Sequence, residues 1–253
     1  MLAGATIACS AADALPRWRG VTLHAVLFDL DGTLLDTAGA IAAALNQALA
    51  ERHLGPLATS EVRAMIGRGG PILIERALAR LGVAMDEAGQ ASLLQRYFLH
   101  YERIEAGTVD SARIYPGVSE CLPALHRLGL RLAVVTNKQQ QFATGLLRRL
   151  GLGEWIQVLI GGDTCERRKP DPQPLQLACE SLRVETTRAL MVGDSINDVL
   201  AARAAGLPVV CVPYGYNEGT DPRQLPCDAF IETLAELPEL LTGARAPPTL
   251  RSG

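Results

Sequence analysis

Five short apolar runs constrain this fold more than any other feature of the chain: Ala25-Val26-Leu27-Phe28, Leu132-Ala133-Val134-Val135, Val158-Leu159-Ile160, Ala189-Leu190-Met191-Val192 and Val209-Val210-Cys211-Val212. None alternates with polar residues, so each reads as a strand buried on both faces, the environment of a parallel sheet. From Tyr115-Pro116-Gly117 onward the runs alternate with helical patterns around residues 118–128, 142–150, 175–182 and 199–205. Strand and helix in alternation means βαβ units. The expected architecture is an α/β fold with a doubly wound parallel sheet of five strands, closed by a helix over 234–241.

Residues 38–103 break this rhythm. They are rich in Ala, Leu, Glu and Arg, and the spacing of Ile41, Ala44, Leu45, Ala48 and Leu49, and of Ile72, Leu73, Arg76, Ala77 and Leu78, is helical. An all-helical segment inserted directly after the first strand follows. The expected division is a core of 21–37 and 114–243, an inserted helical domain of 38–113, and disordered tails at 1–20 and 244–253. Hinges are expected near 37–39 and 111–117, where the chain passes between the lobes.

Charge and composition exclude several classes of function. The net charge is -3, with acids and bases interleaved, so there is no basic stripe to neutralise nucleic-acid phosphates. No stretch reaches the roughly 20 apolar residues needed to span a bilayer. Residues 7–15 lack the basic start and long apolar centre of a secretory signal, which makes the cytoplasm the expected compartment. The six cysteines form no C-x-x-C pair or Cys/His cluster, which argues against structural zinc. A small-molecule partner is expected, and a monomer or small homo-oligomer.

In open α/β sheets ligands bind at the carboxyl ends of the strands. The first strand ends Asp29-Leu30-Asp31-Gly32, two carboxylates that resist joint ionisation unless a cation is shared or one keeps its proton. Asp and Gly are also what a strand-to-turn junction favours. The second strand ends Thr136-Asn137-Lys138, where a hydroxyl and an amide can bind phosphoryl oxygens, although Thr and Asn also cap helices. Lys169 lies between Arg168 and Pro170-Asp171-Pro172, a stiffened loop that aims a cation or merely exposes a basic turn. The fourth strand ends Gly193-Asp194-Ser195-Ile196-Asn197-Asp198, where Asp198 can also serve the dipole of the helix that follows. Taken together, an acid pair, a Thr, a Lys and a second acid pair on one edge form an oxygen-ligand site for Mg²⁺ beside a phosphate pocket.

The segments DLDGTLLDT, VVTNK, KPDP and GDSINDV, in that order, resemble the four motifs of haloacid dehalogenase superfamily phosphatases. The continuation GDSINDVLAARAAG and VPYGYNEG resembles the bacterial phosphoglycolate phosphatases of that superfamily. The resemblance implies Asp29 as the nucleophile that becomes an aspartyl-phosphate, and Asp31 as the acid that protonates the leaving oxygen and then deprotonates water. Asp31 must carry a proton at the first step. It implies Thr136 and Asn137 at the phosphoryl oxygens and Lys169 as the neutralising cation. Mg²⁺ would be held by Asp29, Asp194 and the backbone carbonyl of Asp31, with Asp198 in support. Dehalogenases of the superfamily typically lack the second aspartate, so Asp31 favours phosphoryl chemistry. The insertion resembles a cap, and within it Gly67-Arg68-Gly69-Gly70 offers Arg68 as a grip for a second anionic group of the substrate, or simply as a solvated turn residue. The expected substrate is 2-phosphoglycolate; the alternatives are another small ester, a phosphosugar or a nucleotide, or phosphosugar mutase chemistry.

Overall fold

The computed structural model describes residues 16–107 and 112–244. A hairpin of β1 (Arg17–Trp18) and β2 (Val21–Thr22) precedes β3 (Ala25–Phe28). The chain before 21 was expected to be a disordered tail, but from Pro16 it is not. Gly20, at a φ of 89°, makes the hairpin turn, and Trp18 packs into the core. The rest of that tail and the end from 245 lie outside the described residues.

After β3 the chain makes β4 (Leu35–Asp36) and enters four helices: α1 (Ala38–Ala50), α2 (Thr59–Arg63), α3 (Gly70–Leu81) and α4 (Glu87–Gly107). It returns through β5 (Arg113–Ile114), which pairs antiparallel with β4. The two passages between lobes are thus bound to each other by a two-stranded ladder, with Asp36 opposite Arg113. Residues 108–111, where the second expected hinge begins, lie outside the described residues.

The core then alternates as expected: α5 (Val118–Arg127), β6 (Arg131–Val135), α6 (Gln140–Arg149), β7 (Val158–Ile160), α7 (Gln173–Leu182), β8 (Ala189–Gly193), α8 (Ile196–Ala205) and β9 (Val209–Cys211). A further strand, β10 (Ala229–Phe230), precedes α9 (Leu237–Thr242). It makes the sheet six-stranded rather than five, in the order β10-β9-β8-β3-β6-β7, and all pairs are parallel. Two residues carry too little periodicity to announce a strand, and β10 exists because β9 offers it a partner.

The two faces of β3 divide the core. Val26 and Phe28 pack with the helices α5, α6 and α9, whereas Ala25 and Leu27 pack with α7 and α8. Both faces are covered, which is why the strands read as continuous apolar runs. The cap has its own core of residues from α1 to α4, joined by Phe142 from α6 and Tyr216 from the loop after β9. Those two side chains are the places where the core lobe enters the packing of the cap.

Candidate active site

The sheet order reverses around β3, since β6 and β7 lie on one side of it and β8 to β10 on the other. The crevice at the carboxyl end of such a strand is the expected ligand position. Asp29 is the first residue past β3, and its N–H continues the ladder by donating to Val192 O at 2.9 Å. Its carboxylate therefore emerges at a fixed depth, almost fully buried.

Lys169 reaches that carboxylate from the loop before α7. Its Nζ donates to Asp29 Oδ1 at 2.6 Å, to Asp198 Oδ1 at 2.7 Å and to the carbonyl of Val135 at 2.6 Å, so all three of its protons are placed. Burial by itself would lower the Lys169 pKa, but Asp198 and Asp29 outweigh it and hold the value above its usual range. Asp194 accepts from Thr33 Oγ1 at 2.9 Å and from the Tyr216 N–H at 2.7 Å. Asp198 is fully buried; its Oδ2 accepts from the N–H of Ser195 at 3.1 Å and from Ser195 Oγ at 2.8 Å. This closes the N-terminus of α8 as part of a capping box.

One oxygen from each of Asp29, Asp194 and Asp198 lies within 4.8 Å of the others. Three buried carboxylates share a single lysine, an excess of negative charge that low-dielectric surroundings resist. Burial pushes the Asp29 carboxyl well above the usual range; Lys169 opposes this, and Asp198 and Asp194 reinforce it. Burial, reinforced by Asp198, raises Asp194 to about 7. A hard divalent cation takes oxygen ligands and offsets this excess, so the donor set fits Mg²⁺. Asn197 lines the same recess, and its buried Oδ1 has no hydrogen-bond partner among the described residues. Small residues let the acids converge: a Cβ on Gly32 or Gly215 would fall on the Asp194 carboxylate, and one on Gly193 would fall on Asp198.

Asp31 stands apart from the three acids. Its carboxylate accepts from Thr37 Oγ1 at 2.6 Å and from Lys138 Nζ at 3.1 and 3.2 Å. Thr136 is buried at the end of β6, and its hydroxyl accepts the Lys138 N–H at 3.2 Å, leaving its own proton to donate.

Two residues expected at the substrate are otherwise engaged. The Asn137 amide donates to the carbonyls of Gly67 and Lys169, each at 2.8 Å, so it ties the cap loop to the lysine loop and has no proton left for a phosphoryl oxygen. Arg68 does not line the cavity: its Nε donates to Glu218 Oε1 at 2.9 Å, in a clasp that Arg76 completes at 2.7 Å on the other oxygen. This cap-to-core pairing outweighs an open turn because Glu218 is drawn up beside Gly67 by the loop after β9.

A cavity of about 60 Å³ opens beside Asp29 and Asp31. Ile41, Ile66, Leu73, Tyr97, Phe98 and Tyr101 from the cap and Phe142 from the core wall it, and Lys138 is its cation. Lys138 was legible only as the polar end of a strand. Nothing in its sequence neighbourhood signals that its ammonium lies 4.5 Å over the Tyr101 ring, since Tyr101 belongs to the far end of the insertion. Among the described residues no helix is long and apolar enough to cross a membrane.

Comparison with known proteins shows the family of this chain. A family model for haloacid dehalogenase-like hydrolases matches residues 26–212. The chain is 44% identical over 221 residues to a phosphoglycolate phosphatase of Nitrosospira multiformis, covering 87% of this chain and 96% of the relative. It is 43% identical over 226 residues to a plasmid phosphoglycolate phosphatase of Cupriavidus necator, covering 88% and 95%. Among solved structures, a predicted phosphoglycolate phosphatase from Haemophilus somnus matches with a TM-score of 0.79 and 30% identity over 85% of this chain and 96% of that one. The CbbY protein of Rhodobacter sphaeroides in complex with phosphate matches with a TM-score of 0.73 and 27% identity, covering 85% and 96%.

Proposed function

Because this chain belongs to the haloacid dehalogenase-like hydrolase family, whose relatives here are phosphoric monoester hydrolases, we propose that it is a Mg²⁺-dependent phosphatase acting on 2-phosphoglycolate through an aspartyl-phosphate on Asp29. The observation that carries the reading is the convergence of Asp29, Lys169, Asp194 and Asp198 beside a small cavity that also holds Asp31.

Each residue has a task within that chemistry. Lys169 holds Asp29 at 2.6 Å and fixes which oxygen faces the cavity. Asp29 attacks phosphorus through that free oxygen, the bond from phosphorus to the ester oxygen breaks, and Asp31 delivers its proton to the departing alkoxide. Asp31 next takes a proton from water, whose oxygen attacks phosphorus; the bond to Asp29 breaks and returns the carboxylate with inorganic phosphate. The Thr136 hydroxyl, free to donate, steadies the phosphoryl oxygens throughout. Asp29 and Asp194, with Asp198 beside them, would hold Mg²⁺, which would offset the negative charge of the carboxylates and of the phosphate. The aromatic side chains of the cavity present apolar surface around the reacting groups, and the 44% and 43% identical relatives, both phosphoglycolate phosphatases, support glycolate as the leaving group.

The test is phosphate release, with Mg²⁺ or with excess chelator, from 2-phosphoglycolate, phosphosugars, nucleotides and pyrophosphate. Metal-dependent release led by 2-phosphoglycolate is expected. Release led by another ester would replace the substrate, and none at all would overturn the phosphatase.

Substituting Asp31→Asn is expected to slow 2-phosphoglycolate hydrolysis by about 10²–10⁴-fold. With p-nitrophenyl phosphate, whose leaving group needs no acid, the first step survives. Rapid quench should then record a burst of p-nitrophenol followed by slow turnover, because the second step still lacks its base. Equal losses on both substrates without a burst would remove the acid-base role.

Metal should also govern stability. Asp194 binds its proton more tightly when folded, about 7 against 3.8, so its protonated form favours the fold below pH 4 and that contribution is lost as pH rises toward 7. In chelator, urea unfolding is expected to show stability falling across this window by up to about 4 kcal/mol. Saturating Mg²⁺ should abolish the fall; identical profiles with and without Mg²⁺ would exclude the acids as its site.

A further inference from the structure

We infer that Lys138 is the specificity-determining residue of this site, the cation that binds a carboxylate on the leaving group and so selects small phosphate monoesters carrying an acid next to the ester carbon. The inference rests on the phosphatase reading and names what that reading leaves open, the group that distinguishes one small ester from another.

Two cations expected at the site are engaged by protein groups. Lys169 has all its protons placed on Asp29, Asp198 and Val135 O, and Arg68 is turned to Glu218. Lys138 is the one cation among the described residues that line the cavity beside Asp29 and Asp31. Its side chain is only 7% exposed, and its ammonium rests 4.5 Å from the centre of the Tyr101 ring. A cation held against an aromatic face in an apolar chamber attracts an anion far more strongly than one in water.

Reach decides which part of a substrate it meets. Lys138 Nζ lies 3.1 and 3.2 Å from the two oxygens of Asp31, the group that protonates the ester oxygen. A substituent one carbon beyond that oxygen therefore falls beside Nζ. An ammonium has three donors, and a forked contact with a single carboxylate leaves one for the substrate. Ile66, Leu73, Phe98 and Phe142 give much of the remaining wall an apolar face, and its other polar side chains, Thr136, Asn137 and Gln139, carry no charge. A two-carbon acid presents its one charged group beyond the phosphate to the one cation that lines the cavity.

The experiment compares 2-phosphoglycolate with ethyl phosphate, which has the same carbon count and no carboxylate, in the full-length wild type, Lys138→Gln and Lys138→Arg. The wild type is expected to prefer 2-phosphoglycolate. In Lys138→Gln the ratio of the two kcat/KM values should fall about ten- to a hundredfold, the loss of one charge-assisted hydrogen bond, and Lys138→Arg should recover part of it. Because both substrates need Asp31, any damage that travels through the Asp31 contact cancels in the ratio. An unchanged ratio in Lys138→Gln would overturn the inference. So would a wild type that hydrolyses both esters without preference, a result that needs no variant to fold and keeps the phosphatase. Release from neither ester by the wild type, with Mg²⁺ present, would overturn the phosphatase reading and this inference with it.

Discussion

Replacing Asp29 by asparagine will cut phosphate release by at least about a thousandfold while leaving the fold intact or firmer. The loss follows from the role of the side chain: an amide is isosteric with the carboxylate but is no nucleophile toward phosphorus, and removing such a group typically costs many powers of ten. The gain follows from its surroundings. Asp29 is one of three buried acids that share Lys169, and burial already resists its ionisation. The Asp29→Asn substitution removes one like charge and leaves Lys169 paired with Asp198 at 2.7 Å. Thermal unfolding in chelator should therefore shift upward, and Mg²⁺ should stabilise the variant less than the wild type because a ligand is gone. Retention of activity within tenfold would remove Asp29 as nucleophile. A variant that unfolds would instead assign it a structural duty.

The second large effect is the opposite case. Lys169→Met keeps the length of the stem and deletes the charge that joins Asp29 to Asp198. Breaking a buried ion pair by removing one partner strands the other charge, at about 3–5 kcal/mol. Here two carboxylates and the carbonyl of Val135 lose their donor together, so urea unfolding in chelator should show a loss at or above the upper end of that range. Mg²⁺ should return part of it, since a divalent cation among the acids replaces the missing positive charge. Activity is expected to fall by about 10²–10³-fold even where the protein is folded, because no positive side chain then steadies the carboxylate proposed to attack phosphorus. A metal-independent loss under about 1 kcal/mol would mean that the pair is not the charge balance of the site.

The contrast between these two substitutions, one raising stability and one lowering it at the same hydrogen bond, is a direct reading of charge count. Three buried acids facing one base leave an excess of negative charge that a metal would offset. The cap-to-core clasp at Glu218 is a different kind of contact. Arg68 is 45% exposed, so its pair with Glu218 is open to solvent and worth little on its own. What holds the lobes in register is the set: Glu218 on Arg68 and Arg76, Asn137 on Gly67, and the Tyr216 hydroxyl at the start of α1.

Residue order alone dictated the core and one edge of the site. A parallel strand buried on both faces must be apolar throughout, so β3, β6, β7, β8 and β9 announce themselves. Parallel pairing brings their carboxyl ends to the same side of the sheet, which is why Asp29, Asp31, Thr136, Lys169, Asp194 and Asp198 are legible as one constellation from residue order. The β1–β2 hairpin and β10 were not, because strands of two residues have no period and form on what neighbours provide. Nor were the partners within the constellation. That Asp198 joins the metal-fitting acids, that Asn137 ties two loops, and that Arg68 is clasped while Lys138 faces the cavity all depend on how closely the cap approaches the core. Local sequence sets where a side chain leaves the backbone. The docking of two lobes across a gap of a few ångströms sets what a long, flexible lysine or arginine meets at its far end, and that meeting assigns its work.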